Sequence, residues 1–425
     1  MKPRCKICRK EDKSLTSIFG KEFVDELVYG LFNPESLPLK EGQELDIETL
    51  IQDHLDEIEE GEENSSENYL MSITSHYLED YYKKCMKLRS AKEKAWKEIV
   101  EKVGRGELNS SNIPLKQLME KIPDILVEEL RKENLLELIY DGHFHKGLYD
   151  RRYAFTPESQ KIIAQKVLEE AFTHLEKYGI GLHEMNEAGI GVYPSYIIRE
   201  YDDFLHSYDN LDIQETLLST VSRDPVNMKI LESDLKARIP LHKTKSSNAI
   251  VIDKSSSMYG RKIKGAIMAA LGLKELLEMN YKEDALHVVA FDYKPYLISS
   301  SEITQLRANG STDIGHALDF TRKILAKEDG NRNIFLITDS EPTISYYPGQ
   351  TPLQSALRAS YLAGREGIRM NIMMLDCSVR LRDICDEMAR MNGNSTVAFI
   401  DDPLDLKEFI IKSFIDHKRR CSIFS

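Results

Sequence analysis

The chain has 425 residues, a formal net charge of −13, and 30% charged against 41% hydrophobic residues. That length accommodates two or three domains and a sizeable core without help from disulfides. The acidic balance argues against a general electrostatic grip on nucleic-acid phosphates or anionic lipid; no run of about 20 apolar residues offers a membrane span, and the opening MKPRCKICRKEDKSL lacks the apolar stretch of a signal peptide, so the expected compartment is the cytoplasm.

Six cysteines, at positions 5, 8, 85, 377, 385 and 421, are too scattered for a disulfide framework and read as reduced thiols. Cys5 and Cys8 form one CxxC pair. A tetrahedral zinc site needs two further ligands that no second CxxC supplies; His143 and His145 in DGHFHKG could complete it in space, but surface thiols are the simpler reading.

Residues 1–150 read as a helical region. SHYLEDYYKKCMKLRSAKEKAWKEIVEKV (75–103) spaces apolar residues at helical intervals, with Trp96 expected in the core, and IPLKQLMEKIPDILVEELRKENLLELIY (113–140) reads as two helices broken near Pro123. The acidic stretch near 41–68 reads as a solvated helix followed by a linker, with a docking surface for a basic partner as the other reading.

Residues 151–245 form a helical and irregular connecting region. A helix is expected over 156–179, with Thr156 as N-cap, Pro157 at the first helical position and Gly179 closing it. The glycines of GIGLHEMNEAGIGVYPSY follow a helix, whereas a dinucleotide loop must follow a strand, so nucleotide binding is not expected there.

From 246 to 425 short apolar strands alternate with amphipathic helices: NAIVID, ALHVVAFD, PYLIS, NIFLITD, RMNIMMLD and STVAFID are the strands. Strands apolar on both faces and separated by helices specify an α/β domain, a doubly wound and mainly parallel sheet covered on both sides. In such a sheet ligands gather beyond the carboxyl ends of the strands. Asp253, Asp292, Asp339 and Asp376 each end a strand there. Helix capping accounts for one or two of them. It does not account for the serines of DKSSSM or the GSTD loop at 310–313.

Residues two apart in an extended segment face the same way, so Asp253, Ser255 and Ser257 can converge while Lys254 and Ser256 point elsewhere. Hydroxyls and carboxylates are hard oxygen donors, suited to Mg²⁺, with Mn²⁺ or Ca²⁺ as alternatives.

DKSSSM resembles the DxSxS signature of the von Willebrand factor A (VWA) domain, and Thr312 in NGSTDIGHAL and Asp339 in LITDSEP match the other elements of its metal-ion-dependent adhesion site. The resemblance implies a metal set of Asp253, Ser255, Ser257, Thr312 and Asp339. In it Ser255 and Ser257 coordinate directly, Thr312 directly or through water, and the two acids largely through water. The family often has TDG where this chain has TDS at 338–340, which keeps the ligand and alters the loop. Over about residues 155–420 the chain is similar to intracellular A-domain proteins that work with AAA+ ATPases of the MoxR and magnesium-chelatase type.

The resemblance implies a non-catalytic adaptor whose ion keeps one coordination position open for a partner's Asp or Glu. No Walker A sequence is present, so the ATPase is expected on a separate chain. Two other classes compete. A phosphoryl-transfer enzyme would use Asp253 as nucleophile beside Mg²⁺, but Ser255 stands where such a site wants a second acid. An RNA-binding protein of the Ro type shares the layout of helices joined to an A domain, against the acidic composition. Extracellular adhesion lacks the expected secretion signal and disulfides. Among neighbouring residues, Asp313 reads as a helix N-cap or as an outer support of the ion. Asp292 and Asp376 read as strand-end caps, and Glu341 as a group that could tune access.

Overall fold

The computed structural model describes residues 14–36, 45–62, 73–144, 148–177, 196–202, 208, 211–225, 228–240, 245–376 and 378–423. Cys5, Cys8, His145, Gly179, the glycine-rich stretch 178–195 and part of the acidic stretch 41–68 lie outside them. The chain divides into two compact units, residues 1–166 with 300–305, and residues 167–299 with 306–425.

The first unit carries α1 (Leu15–Phe19), α2 (Lys21–Phe32), α3 (Ile47–Glu62), α4 (Ile73–Gly104), α5 (Leu115–Lys121), α6 (Pro123–Lys132), a hairpin of β1 (Leu136–Phe144) and β2 (Leu148–Phe155), and the start of α7 (Pro157–Lys177). Ser14 caps α1, and Gly20, at φ +87°, lets the chain turn directly into α2. Trp96 stacks on Phe19 with centroids 5.4 Å apart, in a core shared with fully buried Leu27, Ile99, Leu118 and Leu126. Pro123 opens α6, as expected of a residue whose missing N–H is no loss at a first turn.

The helical expectation fails after residue 133. Asn134 takes φ +59°, and the Leu135 N–H donates to the Leu130 carbonyl, a left-handed helix end that releases the chain into β1. LELIY pairs with β2 from Leu136 opposite Phe155, with a register shift between Leu138 and Tyr140. Thr156 then starts α7 as expected, its hydroxyl accepting from the Ser159 N–H at 3.4 Å.

In the second unit β3 (Tyr196–Glu200), α8 (Ile213–Arg223) and β4 (Lys236–Pro240) follow α7, and β3 pairs antiparallel with β4. These short strands are an addition to the helical and irregular reading of that region. Asp212 caps α8 through the N–H groups of Gln214 and Glu215. The sheet domain runs β5 (Ser246–Asp253), α9 (Arg261–Asn280), β6 (Ala285–Phe291), β7 (Pro295–Ile298), α10 (Ile314–Leu325), β8 (Asn331–Thr338), α11 (Pro352–Arg365), β9 (Arg369–Met374), α12 (Val379–Asn392), β10 (Ser395–Phe399) and α13 (Leu406–Ile423). The strand order is β10-β9-β8-β5-β6-β7, parallel throughout except for the edge strand β7.

Every residue of β5 is buried, as a central strand covered on both faces requires. Ala249, Val251, Val289, Leu336 and Ile372 pack with Ile314, Leu318, Ala359 and Met388 of α10, α11 and α12. Alternation sends Ile250, Ile252 and Ile337 to the opposite face. The fold is thus the doubly wound α/β sheet expected from the sequence. No helix among the described residues is long and apolar enough to cross a membrane.

Candidate metal centre

The chain leaves β5 for β6 on one side, while β8, β9 and β10 build outward on the other, so strand order reverses between β5 and β8. The carboxyl ends of these two strands therefore flank the crevice where open α/β sheets bind ligands. Ile252 pairs with Ile337, which sets Asp253 beside Thr338 and Asp339 just beyond.

Asp253 is fully buried. One carboxylate oxygen accepts from the Ser255 N–H at 2.8 Å and the other from the Thr338 hydroxyl at 2.6 Å. Burial pushes its carboxyl up to about 6, although the Thr338 and Ser255 hydrogen bonds pull the other way. Past Ser255 the backbone turns through a 3-10 segment, Ser256–Met258, pinned by the fully buried Met258, and Gly260 at φ +80° admits the chain to α9.

That turn aims alternate side chains as expected. Ser255 Oγ lies 3.1 Å from Ser257 Oγ, and Ser257 Oγ donates to Asp339 Oδ1 at 2.7 Å. The intervening residues face other partners: Lys254 Nζ lies 2.6 Å from Asp292 Oδ2, and the Ser256 hydroxyl accepts from the Gly310 N–H at 3.2 Å.

Thr312 arrives on a loop clamped to the same turn. The Ser256 N–H donates to the Gly310 carbonyl at 3.1 Å, and the Asp313 N–H donates to the Asp292 carbonyl at 2.9 Å. Gly310 takes φ +101°, and a Cβ there would stand 2.9 Å from the Asp292 Cβ, so only glycine suits the position. Thr312 Oγ1 lies 3.1 Å from Ser340 Oγ, which in turn reaches Asp253 Oδ2 at 3.5 Å. Thr312 joins the cluster through Ser340, the serine of the TDS departure.

The donors are oxygen only. Adjacent ligands around an octahedral ion with bonds of about 2.1 Å stand about 3 Å apart. The 3.1 Å and 2.7 Å separations along Ser255, Ser257 and Asp339 are hydrogen-bond lengths that also lie near that spacing. Among the described residues no group of three or more His, Cys, Asp or Glu gathers as a metal site. A cation here would depend on the hydroxyls.

The other acids have local work. Asp313 caps α10 through the His316 N–H at 2.9 Å and holds the Tyr346 N–H at 2.6 Å; Asp292 accepts from the Lys294 N–H and pairs with Lys254; Asp376 accepts from the Ser378 N–H at 3.0 Å. Glu341 forms an ion pair with Arg380 at 2.7 Å. Three residues were given no part in the site by the sequence reading: Thr338, Ser340, noted only as a departure in the loop, and Lys262, whose Nζ lies 2.6 Å from Asp339 Oδ2. A basic pair opening a helix, Arg261 and Lys262, was the available signal for the last, because it opposes the helix dipole.

Residues 246–415 match the family model described as Rv0959-like protein, vWA domain. Over 121 residues the chain is 33% identical to the uncharacterized protein sll0103 of Synechocystis sp., covering 25% of this chain and 27% of that one. Over 231 residues it is 23% identical to the uncharacterized protein Rv0959 of Mycobacterium tuberculosis, covering 49% of this chain and 34% of that one. The chain spans about a quarter to a third of the length of these curated relatives. The solved PilB minor pilin from Streptococcus sanguinis is similar over 44% of this chain and 64% of its own, with 14% identity and a TM-score of 0.34. Residues 246–415 thus match a von Willebrand factor A domain model and carry the doubly wound strand order described above.

Proposed function

We propose that the protein is a Mg²⁺-dependent adaptor that grips a carboxylate of a partner protein through the VWA domain. The observation that carries this reading is the hydrogen-bonded chain of oxygens Ser255, Ser257 and Asp339 at the point where strand order reverses. A bound Mg²⁺ supplies Lewis-acid attraction for an incoming carboxylate. Ser255 and Ser257 offer neutral oxygens, Thr312 offers a third beside Ser340, and Asp253 and Asp339 supply the negative charge. Two carboxylates against a divalent ion, with the Lys262 ammonium on one of them, leave net positive charge for a partner's acid. Asp253 also fixes the turn through the Ser255 N–H, so the same residue shapes the loop and charges the site.

A protein-interaction role is the general property of the VWA family. It suits the exposed aromatic side chains of Tyr259, Tyr293 and Tyr346, which lie on the loops that follow β5, β6 and β8. Aromatic residues of this kind are enriched at protein interfaces. The reading includes no catalytic step. It extends to a separate AAA+ ATPase of the MoxR or magnesium-chelatase type, acting in protein remodelling or metal insertion. That extension rests on the resemblance over about residues 155–420 and on the missing Walker A sequence.

Affinity isolation from native cells with wild type and Asp253→Ala, each in Mg²⁺ and in chelator, tests the proposal. A partner set recovered by wild type in Mg²⁺ alone, and containing an AAA+ ATPase, is the expected result. Identical sets from both proteins, without such an ATPase, would contradict it.

A further inference from the structure

We infer that Lys262 is a tethered competitor for the cation at Asp339 and sets how tightly this centre holds a divalent ion. The inference rests on the metal-site reading above and concerns a residue outside the expected ligand set.

Lys262 is the second residue of α9, and its Nζ lies 2.6 Å from Asp339 Oδ2 while Ser257 holds Oδ1. The Asp339 side chain is 1% exposed and that of Lys262 is 29% exposed, so the ammonium reaches the buried carboxylate from the solvent side. Helix stability does not explain the position. The first turn of α9 has no acid and places Arg261 and Lys262 against the positive end of the helix dipole.

The neighbouring cations are engaged elsewhere, Arg261 with Asp402 at 3.1 Å and Lys254 with Asp292 at 2.6 Å. Among the described residues, Lys262 is therefore the cation that answers the Asp339 charge. Two consequences follow from charge alone. A divalent ion that shares Asp339 with an ammonium binds more weakly than one that has the carboxylate to itself. Without the ammonium, the metal-free site would hold a buried carboxylate lacking its counter-charge, which destabilises a fold.

Calorimetric titration of Mg²⁺ and Mn²⁺ into the full chain tests this, using wild type, Lys262→Gln, Lys262→Met, Lys262→Arg and Arg261→Gln. Thermal unfolding of each in chelator and in saturating Mg²⁺ accompanies the titrations. Lys262→Gln and Lys262→Met are expected to bind Mg²⁺ about tenfold tighter or more. They should unfold below wild type in chelator and recover that difference in Mg²⁺. Lys262→Arg, which keeps the charge, and Arg261→Gln, which removes a charge paired elsewhere, are expected to stay near wild type. Metal binding by wild type with equal or weaker binding by both neutral variants would overturn the inference and leave the metal site standing. Binding by neither wild type nor the neutral variants would overturn the metal site, and this inference with it.

Discussion

At the scale of single residues, charge and spacing explain which groups the sequence reveals. Asp253, Ser255 and Ser257 are visible because a period of two places them together within one short segment. Lys262 is not, because the basic pair that opens α9 shows only a charge set against the helix dipole, while its partner Asp339 lies 77 positions away. Asp319 is a mixed case, with Arg322 and Lys323 three and four residues on along α10 and only Tyr347 distant. Burial raises its carboxyl, but hydrogen bonds from Lys323, Tyr347 and Arg322 outweigh burial and hold it at about 2. Its folded value lies below the unfolded 3.8, so the stability it contributes is present above that value and is lost as pH falls toward 2. A shift of that size corresponds to about 2 kcal/mol. Asp319→Asn is expected to lose about that much stability at neutral pH. The difference from wild type should shrink below about pH 4 in urea unfolding compared across pH. A difference that stays constant down to pH 2 would contradict the assignment.

Among the elements, periodicity served the sheet domain well and the first unit less well. Except between β6 and β7, the strands of the sheet are separated by helices, so the alternation is readable. LLELIY at 135–140 fits both periods. What decides for a strand is Asn134 in a left-handed conformation and a partner strand about 15 residues on, neither of which a helical window registers. Close helix contacts are equally silent in the sequence. Gly315 of α10 lies so near α11 that a Cβ would stand 2.6 Å from the Ser355 carbonyl carbon. Gly315→Ala should gain up to about 1 kcal/mol of helix propensity. Overpacking is expected to outweigh that gain, for a net loss of about 1 to 2 kcal/mol measured by chemical unfolding. A stabilised variant would show that α10 and α11 can separate without cost.

For the molecule as a whole, the α/β class and the strand-end location of the candidate site were legible. Both follow from the order of apolar segments, and the sheet topology then fixes where ligands can bind. The hairpin of the first unit, the small β3–β4 sheet and the counter-charge on Asp339 required coordinates. They depend on contacts between distant segments. On the proposed function, Ser255, Ser257 and Asp339 converge to hold a divalent cation. Calorimetric titration of Mg²⁺ into wild type and a Ser255→Ala, Ser257→Ala double variant, both shown to be folded, measures that claim directly. Saturable binding of one ion by wild type and its loss in the double variant is the result predicted. Unchanged binding in the double variant, or no binding by wild type, would contradict it.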